Sequence, residues 1–356
     1  MRVALVYRDA LQAGGYPRDV RWLSSTLRGC GVEVMLLADD GGETDGLDSG
    51  ADIRRISELS RITGCVDLIH VFGPLIPRHA FAMARARAEG KPLILSTFAQ
   101  LMPHAMKKGR LKKNLYLKLI SPWTGRAQLL AFGPAEELGL RRYFPRHKVF
   151  QASMGVYPSL PAALPPSSPR STGELRLLFF GRNDRFQKGL DILLQGFQKA
   201  VADGASVRLT MAGRPWRDSG KYIEGFLHRH RLEDRVSVAG EEDENAKWGH
   251  YASADYLVFL SRWDGPPRPV REAITTGVPL VVSPETNMGH LVERYGAGIQ
   301  VALNPEAVAR CFCSLASAPN SRLRFASGLA ALRDRLAWNR VALDYAEIYR
   351  EVLSGK

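Results

Sequence analysis

The stretch LLFFGRNDRFQKGLDILLQGF, residues 177–197, sets two cations, Arg182 and Lys188, in a turn marked by Gly181 and Gly189. An apolar run precedes the turn and a helix-periodic segment follows it, with Leu190, Leu193, Leu194 and Phe197 on one face. The glycines permit close backbone approach, and a helix N-terminus favours an anion through its free N–H groups and dipole. Two cations in that position suit a diphosphate. The turn by itself is equally compatible with a solvated basic loop.

A second turn, SRWDGPPRPVREAITTGVPLVVS (261–283), carries two carboxylates, Asp264 and Glu272. Glu272 is expected in the first turn of the helix VREAITTG, where the dipole favours a carboxylate. There it could accept paired sugar hydroxyls such as those of ribose, or simply stabilise the helix end. The turn YRDALQAGGYPRDV (7–20) offers Gly14 and Gly15 for backbone approach to a phosphate, a weak signal alone. MAGRPW (211–216) and VAGEED (238–243) bring Gly213 and Gly240 to further strand ends, suited to meeting a nucleobase through backbone groups.

The elements that must position these turns follow from the pattern. Apolar runs at 2–7, 32–37, 67–72, 92–97, 128–133 and 147–153 alternate with helical stretches that close on glycine. Such alternation means βαβ units and a parallel sheet. YPSLPAALPPSSPRSTGE (157–174) then breaks the pattern with Pro and Ser, reading as a linker. Alternation restarts with runs at 175–181, 206–213, 235–240, 254–261 and 278–284. The chain therefore reads as two α/β domains, 1–156 and 174–337, joined by 157–173. A terminal helix follows, WNRVALDYAEIYREVL, with Trp338, Val341, Ala342, Tyr345, Ile348, Tyr349 and Val352 close to one stripe. Ligands of open parallel sheets bind beyond the carboxyl ends of the strands, so two such domains would face each other across a cleft.

With 356 residues, 45% hydrophobic and 24% charged, the composition is that of a soluble globular protein. The opening MRVALVY is too short for a signal peptide and reads as a first buried strand. No run reaches the roughly 20 apolar residues that span a bilayer. Cys30, Cys65, Cys311 and Cys313 suggest neither a disulfide framework nor a metal site, which fits a reducing cytoplasm. The net charge of +13 asks for an anionic partner.

Much of that charge is concentrated. Between Glu89 and Glu136 there is no acidic residue, while Lys91, Lys107, Lys108, Arg110, Lys112, Lys113, Lys118 and Arg126 fall inside. Leu111, Leu115 and Leu119 share one side of a helix there, although Lys108 and Lys118 intrude. Basic-plus-aliphatic segments of this kind bind anionic lipid surfaces. The alternative is a surface helix whose leucines pack inward.

Taken jointly, the motifs resemble the retaining glycosyltransferases of family 4, which have the two-Rossmann-domain GT-B fold. GGYPRDVRWLSSTLRGCGVEVMLL is similar to that family's N-terminal glycine loop and helix, and GRNDRFQKGLDILLQGF to its Gly-Arg…Lys-Gly phosphate motif. DGPPRPVREAITTGVPLVVS resembles its acidic loop, with two carboxylates separated by seven residues, and the helix from Trp338 resembles the one that returns to the first domain. The resemblance implies a nucleotide-diphosphate sugar held mainly by the second domain. Arg182 and Lys188 would neutralise the leaving diphosphate, Glu272 would bind ribose hydroxyls, and Asp264, where the family usually has Glu, would hold the donor sugar. No Asp-x-Asp motif is present to carry a metal, so no cofactor is expected. The acceptor is expected to be a glycan or a lipid-linked molecule, met by Lys107, Lys108, Arg110, Lys112 and Lys113 at an anionic membrane surface. The expected setting is bacterial cell-surface polysaccharide or lipopolysaccharide synthesis on the inner face of the cytoplasmic membrane.

The sequence departs from that family in two places. Phe98 stands where a histidine is frequent, and His104 is displaced from the position. The acidic loop runs Gly265-Pro266-Pro267-Arg268-Pro269, whose prolines donate no N–H; Arg268 is a candidate to compensate. These departures keep a catalytically degenerate GT-B protein as an alternative. A nucleotide-sugar epimerase would need a set of acidic and histidine residues for hydroxyl proton transfer, which the sequence does not display. A nucleic-acid-binding protein would interleave its cations with exposed aromatics in a reading module, and no nucleic-acid partner is expected.

Overall fold

The computed structural model describes residues 1–39, 47, 50–107, 109–158, 173–241, 246–318 and 321–355. It divides into two compact units, Met1–Gly155 with Leu336–Lys356, and Val156–Arg335. The expected linker, 157–173, lies outside the described residues except for Tyr157, Pro158 and Gly173.

The first unit holds a seven-stranded parallel sheet of β1 (Arg2–Val6), β2 (Glu33–Ala38), β3 (Asp52–Arg55), β4 (Leu68–Phe72), β5 (Leu93–Ser96), β6 (Gln128–Ala131) and β7 (Val149–Gln151). Their spatial order is β3-β2-β1-β4-β5-β6-β7. The second unit holds β8 (Leu175–Phe180), β9 (Val207–Ala212), β10 (Val236–Ala239), β11 (Tyr256–Phe259), β12 (Leu280–Val282) and β13 (Gly298–Gln300), in the order β10-β9-β8-β11-β12-β13. The winding is the same in both sheets. Strand order reverses between β1 and β4 in one and between β8 and β11 in the other, and at such reversals a doubly wound sheet opens a crevice beyond its carboxyl ends.

The central strands are buried on both faces, as in the fully buried run LIHVF of β4, because helices cover both sides of a parallel sheet. That is why unbroken apolar runs, rather than alternation, mark them in the sequence. β3 and β13 were not legible this way. β3 is the polar DIRR and β13 the short GIQ, both at sheet edges and half-exposed or more.

The terminal helix, Trp338–Ser354, buries Trp338, Val341, Ala342, Tyr345, Ile348 and Tyr349, while Val352 at its end is half-buried. It packs on the helix Gly15–Gly29, where Trp22 and Trp338 meet edge to face at 5.8 Å. The Tyr349 hydroxyl lies 2.9 Å from Nδ1 of the fully buried His70 in β4, whose Nε2 is 2.8 Å from Ser96 Oγ. The last helix thereby completes the core of the first unit. Among the described residues, no helix is long and apolar enough to cross a membrane.

Candidate functional site

In the second unit the site grows from four turns that follow β8, β9, β11 and β12. Gly181 and Gly213, at φ 142° and 133°, end β8 and β9. A Cβ on Gly213 would press into the Gly181 backbone, and one on Gly189 (φ 63°) into the Leu260 carbonyl. Gly189 and Gly213 are thus required first by turn-on-turn packing. Gly240 accepts the Gly213 N–H at 3.0 Å, tying the β10 end to the same backbone layer.

The switch point between β8 and β11 is bridged by an ion pair. Lys188, after β8, bonds its ammonium to the Asp264 carboxylate after β11, and the side chains are 12% and 11% exposed. The ammonium also lies 4.8 Å from the Phe259 ring centre. Asp264 accepts from Ser261 Oγ at 3.2 Å, and Asn287 Nδ2 donates to its main-chain carbonyl at 2.6 Å. Arg182 turns the other way. Its guanidinium lies 4.3 Å over Trp216 in the turn after β9, donates to Gln187 Oε1 at 2.7 Å and sits 3.6 Å from Asp184. The two cations expected to share one diphosphate therefore hold different partners in this structure.

The helix of the acidic loop starts at Arg268, two residues earlier than its apolar pattern suggests, with Pro267 at its N-cap. Proline suits a first turn, where its missing N–H would have no intrahelical acceptor. Glu272 consequently falls in the second turn, so the expected first-turn dipole argument does not apply. Its carboxylate is enclosed, with the residue 1% exposed. Oε1 accepts from Lys247 Nζ at 2.5 Å and Arg268 Nε at 2.8 Å, and Oε2 from Tyr251 hydroxyl at 2.7 Å. The Lys247 ammonium lies within 4.8 Å of the ring centres of both Tyr157 and Trp248. Arg268 therefore serves as a partner of Glu272. The ribose role that the resemblance implies for Glu272 requires this cluster to open.

Lys247, Tyr251, Trp216, Ser261 and Asn287 were missed in the sequence. Lys247 carried one usable signal, a lone cation opening the apolar stretch KWGHYASADYLVF. Tyr251, Ser261 and Asn287 are common residue types, and Trp216 closes the MAGRPW turn, which pointed only to Gly213.

In the first unit, Gly14 (φ 130°) is the N-cap of the helix Gly15–Gly29, and Gly15 is its first residue. Phe98 and Ala99, after β5, are both left-handed at φ 50° and 60°, a conformation unfavourable to residues with a Cβ. Buried Glu136 fixes this turn by accepting from Thr97 Oγ1 at 2.5 Å, Ala99 N–H at 2.6 Å and Phe132 N–H at 3.0 Å. Burial pushes its carboxyl pKa up, against the lowering effect of those bonds. Phe98 then stacks on Tyr16 at 4.1 Å. An apolar ring occupies the place considered for a histidine.

The basic stretch forms the helices Pro103–Lys107 and Arg110–Thr124. Leu111, Leu115 and Leu119 are 83%, 68% and 61% exposed, so the inward-packing alternative fails; Ile120, Tyr116, Leu117 and Trp123 face the core instead. Lys107, Arg110, Lys112 and Lys118 are exposed beside the leucines. Lys113 is not a surface cation, because its ammonium donates to the Ala105 and Gln100 carbonyls at 2.8 and 3.2 Å. Lys108 lies outside the described residues.

Two parallel sheets of seven and six strands, wound alike and flanked by helices, define the GT-B class of α/β protein. Residues 174–318 match the family described as glycosyl transferases group 1. No curated protein matches the chain. Among solved structures, sucrose-phosphate synthase from Thermosynechococcus elongatus is similar at 18% identity, covering 100% of both chains with a TM-score of 0.71. HepE of Anabaena, in complex with UDP and glucose, is similar at 14% identity, covering 98% of this chain and 99% of its own, with a TM-score of 0.70. WaaG, a glycosyltransferase involved in lipopolysaccharide biosynthesis, is similar at 14% identity over 97% and 99% of the chains, with a TM-score of 0.67. At these identities the structures establish the fold alone.

Proposed function

We propose that the chain is a family 4 retaining glycosyltransferase that moves a sugar from a nucleotide-diphosphate sugar to a glycan or lipid-linked acceptor without a metal ion. The observation that carries the reading is the Lys188–Asp264 pair, set across the β8/β11 reversal of the domain that matches glycosyl transferases group 1. Glycosyl transfer builds negative charge on the departing diphosphate, so cations placed before the reaction stabilise the transition state more than the ground state. The donor's diphosphate would replace Asp264 on Lys188, with Arg182 taking further charge. That exchange frees the Asp264 carboxylate to hold the donor sugar. HepE, seen with UDP and glucose, supports a nucleotide-sugar donor.

The exposed Leu111, Leu115 and Leu119 with Arg110, Lys112 and Lys118 support an acceptor met at an anionic membrane surface, the inner face of the cytoplasmic membrane. WaaG supports a setting in bacterial lipopolysaccharide or surface-polysaccharide synthesis.

A second reading, a transferase fold that binds nucleotide without turnover, is favoured by the enclosed Glu272 carboxylate and by Phe98. A thermal-shift screen of nucleoside diphosphates and their sugars tests both, since a ligand specific to the native state raises the melting temperature. The sugar nucleotide that stabilises the chain is then supplied with and without lipid-linked acceptors. Transfer with the donor's anomeric configuration kept in the product supports the first reading, and binding without hydrolysis or transfer supports the second. No stabilisation by any nucleotide refutes both.

A further inference from the structure

The turn after β9 reads Gly213-Arg214-Pro215-Trp216-Arg217, and it continues the β8–β9 pairing beyond the sheet. Asn183 N–H donates to the Arg214 carbonyl at 2.9 Å, and Asn183 pairs with Pro215 in a parallel bridge. This framework gathers three cations around one indole. The guanidinium carbons of Arg182, Arg214 and Arg217 lie 4.3, 6.0 and 6.0 Å from the Trp216 ring centre.

Among the described residues few side chains pair with that charge. Arg182 has Asp184 at 3.6 Å, whereas the side chains of Arg214 and Arg217 make no ion pair or hydrogen bond among the described residues. Arg182 Nε has no hydrogen-bond acceptor among the described residues. Arg217 is held left-handed at φ 54°, a conformation unfavourable to a residue with a Cβ. Arg214 and Arg217 are exposed and Trp216 is half-buried. The helix Ser219–His230 begins directly after the turn with no side chain capping it, so the positive end of its dipole lies beside the turn, although Ser219 N–H already bonds the Trp216 carbonyl at 3.1 Å. An indole face offsets part of the repulsion among guanidinium groups, and an oxyanion meets their planar donor forks with charge-assisted hydrogen bonds.

We propose that Arg214 and Arg217, on either side of Trp216, form an oxyanion subsite that takes a phosphate or carboxylate group beside the diphosphate assigned to Lys188 and Arg182. The inference rests on the nucleotide-sugar reading for that second anion, and on the arginine cluster alone for the first. The oxyanion comes either from the sugar of an acidic donor or from a free anion bound beside the nucleotide.

Inorganic phosphate titrated calorimetrically into the full chain tests the subsite, first alone and then with the chain saturated by the nucleoside diphosphate that binds it. Wild-type protein is expected to bind phosphate in both states. The Arg214→Gln/Arg217→Gln variant, with an unchanged melting temperature, should bind it at least about tenfold more weakly in both. Arg229→Gln/Arg333→Gln removes the same charge from exposed positions elsewhere and should bind as wild type. Competition by UDP-glucuronate but not UDP-glucose against phosphate assigns the oxyanion to the donor sugar; competition by neither assigns it to a free anion. Absence of phosphate binding, equal loss in both double variants, or complete displacement of phosphate by the nucleoside diphosphate overturns the proposal. If no nucleoside diphosphate binds, the donor reading fails, while the phosphate titrations of the free chain still decide the subsite.

Discussion

Replacing Lys247 by Met removes one of the two cations that hold the Glu272 carboxylate. The Lys247 and Glu272 side chains are 2% and 1% exposed, so water cannot take the ammonium's place. Breaking one side of a buried pair costs about 3–5 kcal/mol, chiefly because the remaining charge stays desolvated. Arg268 remains at 2.8 Å and is itself 26% exposed, and Tyr251 still donates to the other oxygen. The loss should therefore fall near the lower end, about 3 kcal/mol. For a unit of this size that corresponds to a melting-temperature drop of roughly 6–12 °C. Pairing Lys247→Met with Glu272→Gln removes the stranded charge as well. The double variant should then be more stable than the sum of the two single losses allows, with a coupling energy above about 1 kcal/mol. Thermal and urea unfolding of the full chain, read on the transition of the second unit, measure the cycle. Lys247→Met within about 0.5 kcal/mol of wild type, or single losses that simply add, would refute the reasoning.

Asp264→Asn removes the internal competitor for Lys188. Affinity for a nucleoside diphosphate should rise severalfold while sugar transfer falls, and weaker binding measured by calorimetry would contradict the exchange proposed for Lys188. His70 and His79 have pKa values lowered by burial to about 3 and about 4; His79 is further held neutral as it accepts the Arg8 N–H at 2.9 Å. Below pH 6.5 the folded chain then binds fewer protons than the unfolded one. Stability is fully present above that pH and should fall as pH drops toward 4, by about 1.4 kcal/mol per pH unit for each histidine. Urea unfolding between pH 7 and pH 5 should show a shallower loss in His70→Gln; an identical slope would count against it. Leu111→Ser/Leu115→Ser/Leu119→Ser should abolish sedimentation with anionic vesicles while leaving the melting temperature unchanged, because those side chains already face solvent. Vesicle binding retained by the triple variant would place the membrane contact elsewhere.

The fold was legible where burial on both faces of a sheet demands continuous apolar runs, as in RVALV and LIHVF. It was illegible at DIRR and GIQ, whose strand character comes from a neighbouring ladder rather than from their own side chains. The site divides similarly. Gly181, Lys188, Asp264 and Glu272 stood out because they gather at the carboxyl ends of strands, where an open parallel sheet binds its ligands. Tyr251 did not, and Lys247 carried only the signal of a lone cation opening an apolar stretch, because their common partner lies 21 and 25 positions away.

The sequence by itself determined the alternating strands and helices of two parallel α/β units, the apolar stripe of the terminal helix and the turns that carry charge, because periodicity and turn chemistry are local properties. Tertiary structure decided which charges meet. It gave Lys188 to Asp264 and Arg182 to Trp216, enclosed Glu272 between Lys247 and Arg268, and turned Lys113 inward while leaving three leucines in solvent. Those outcomes depend on how strand ends and helices from distant parts of the chain converge, and on the cost of desolvating each charge where they do. Spacing along the chain carries no record of that cost.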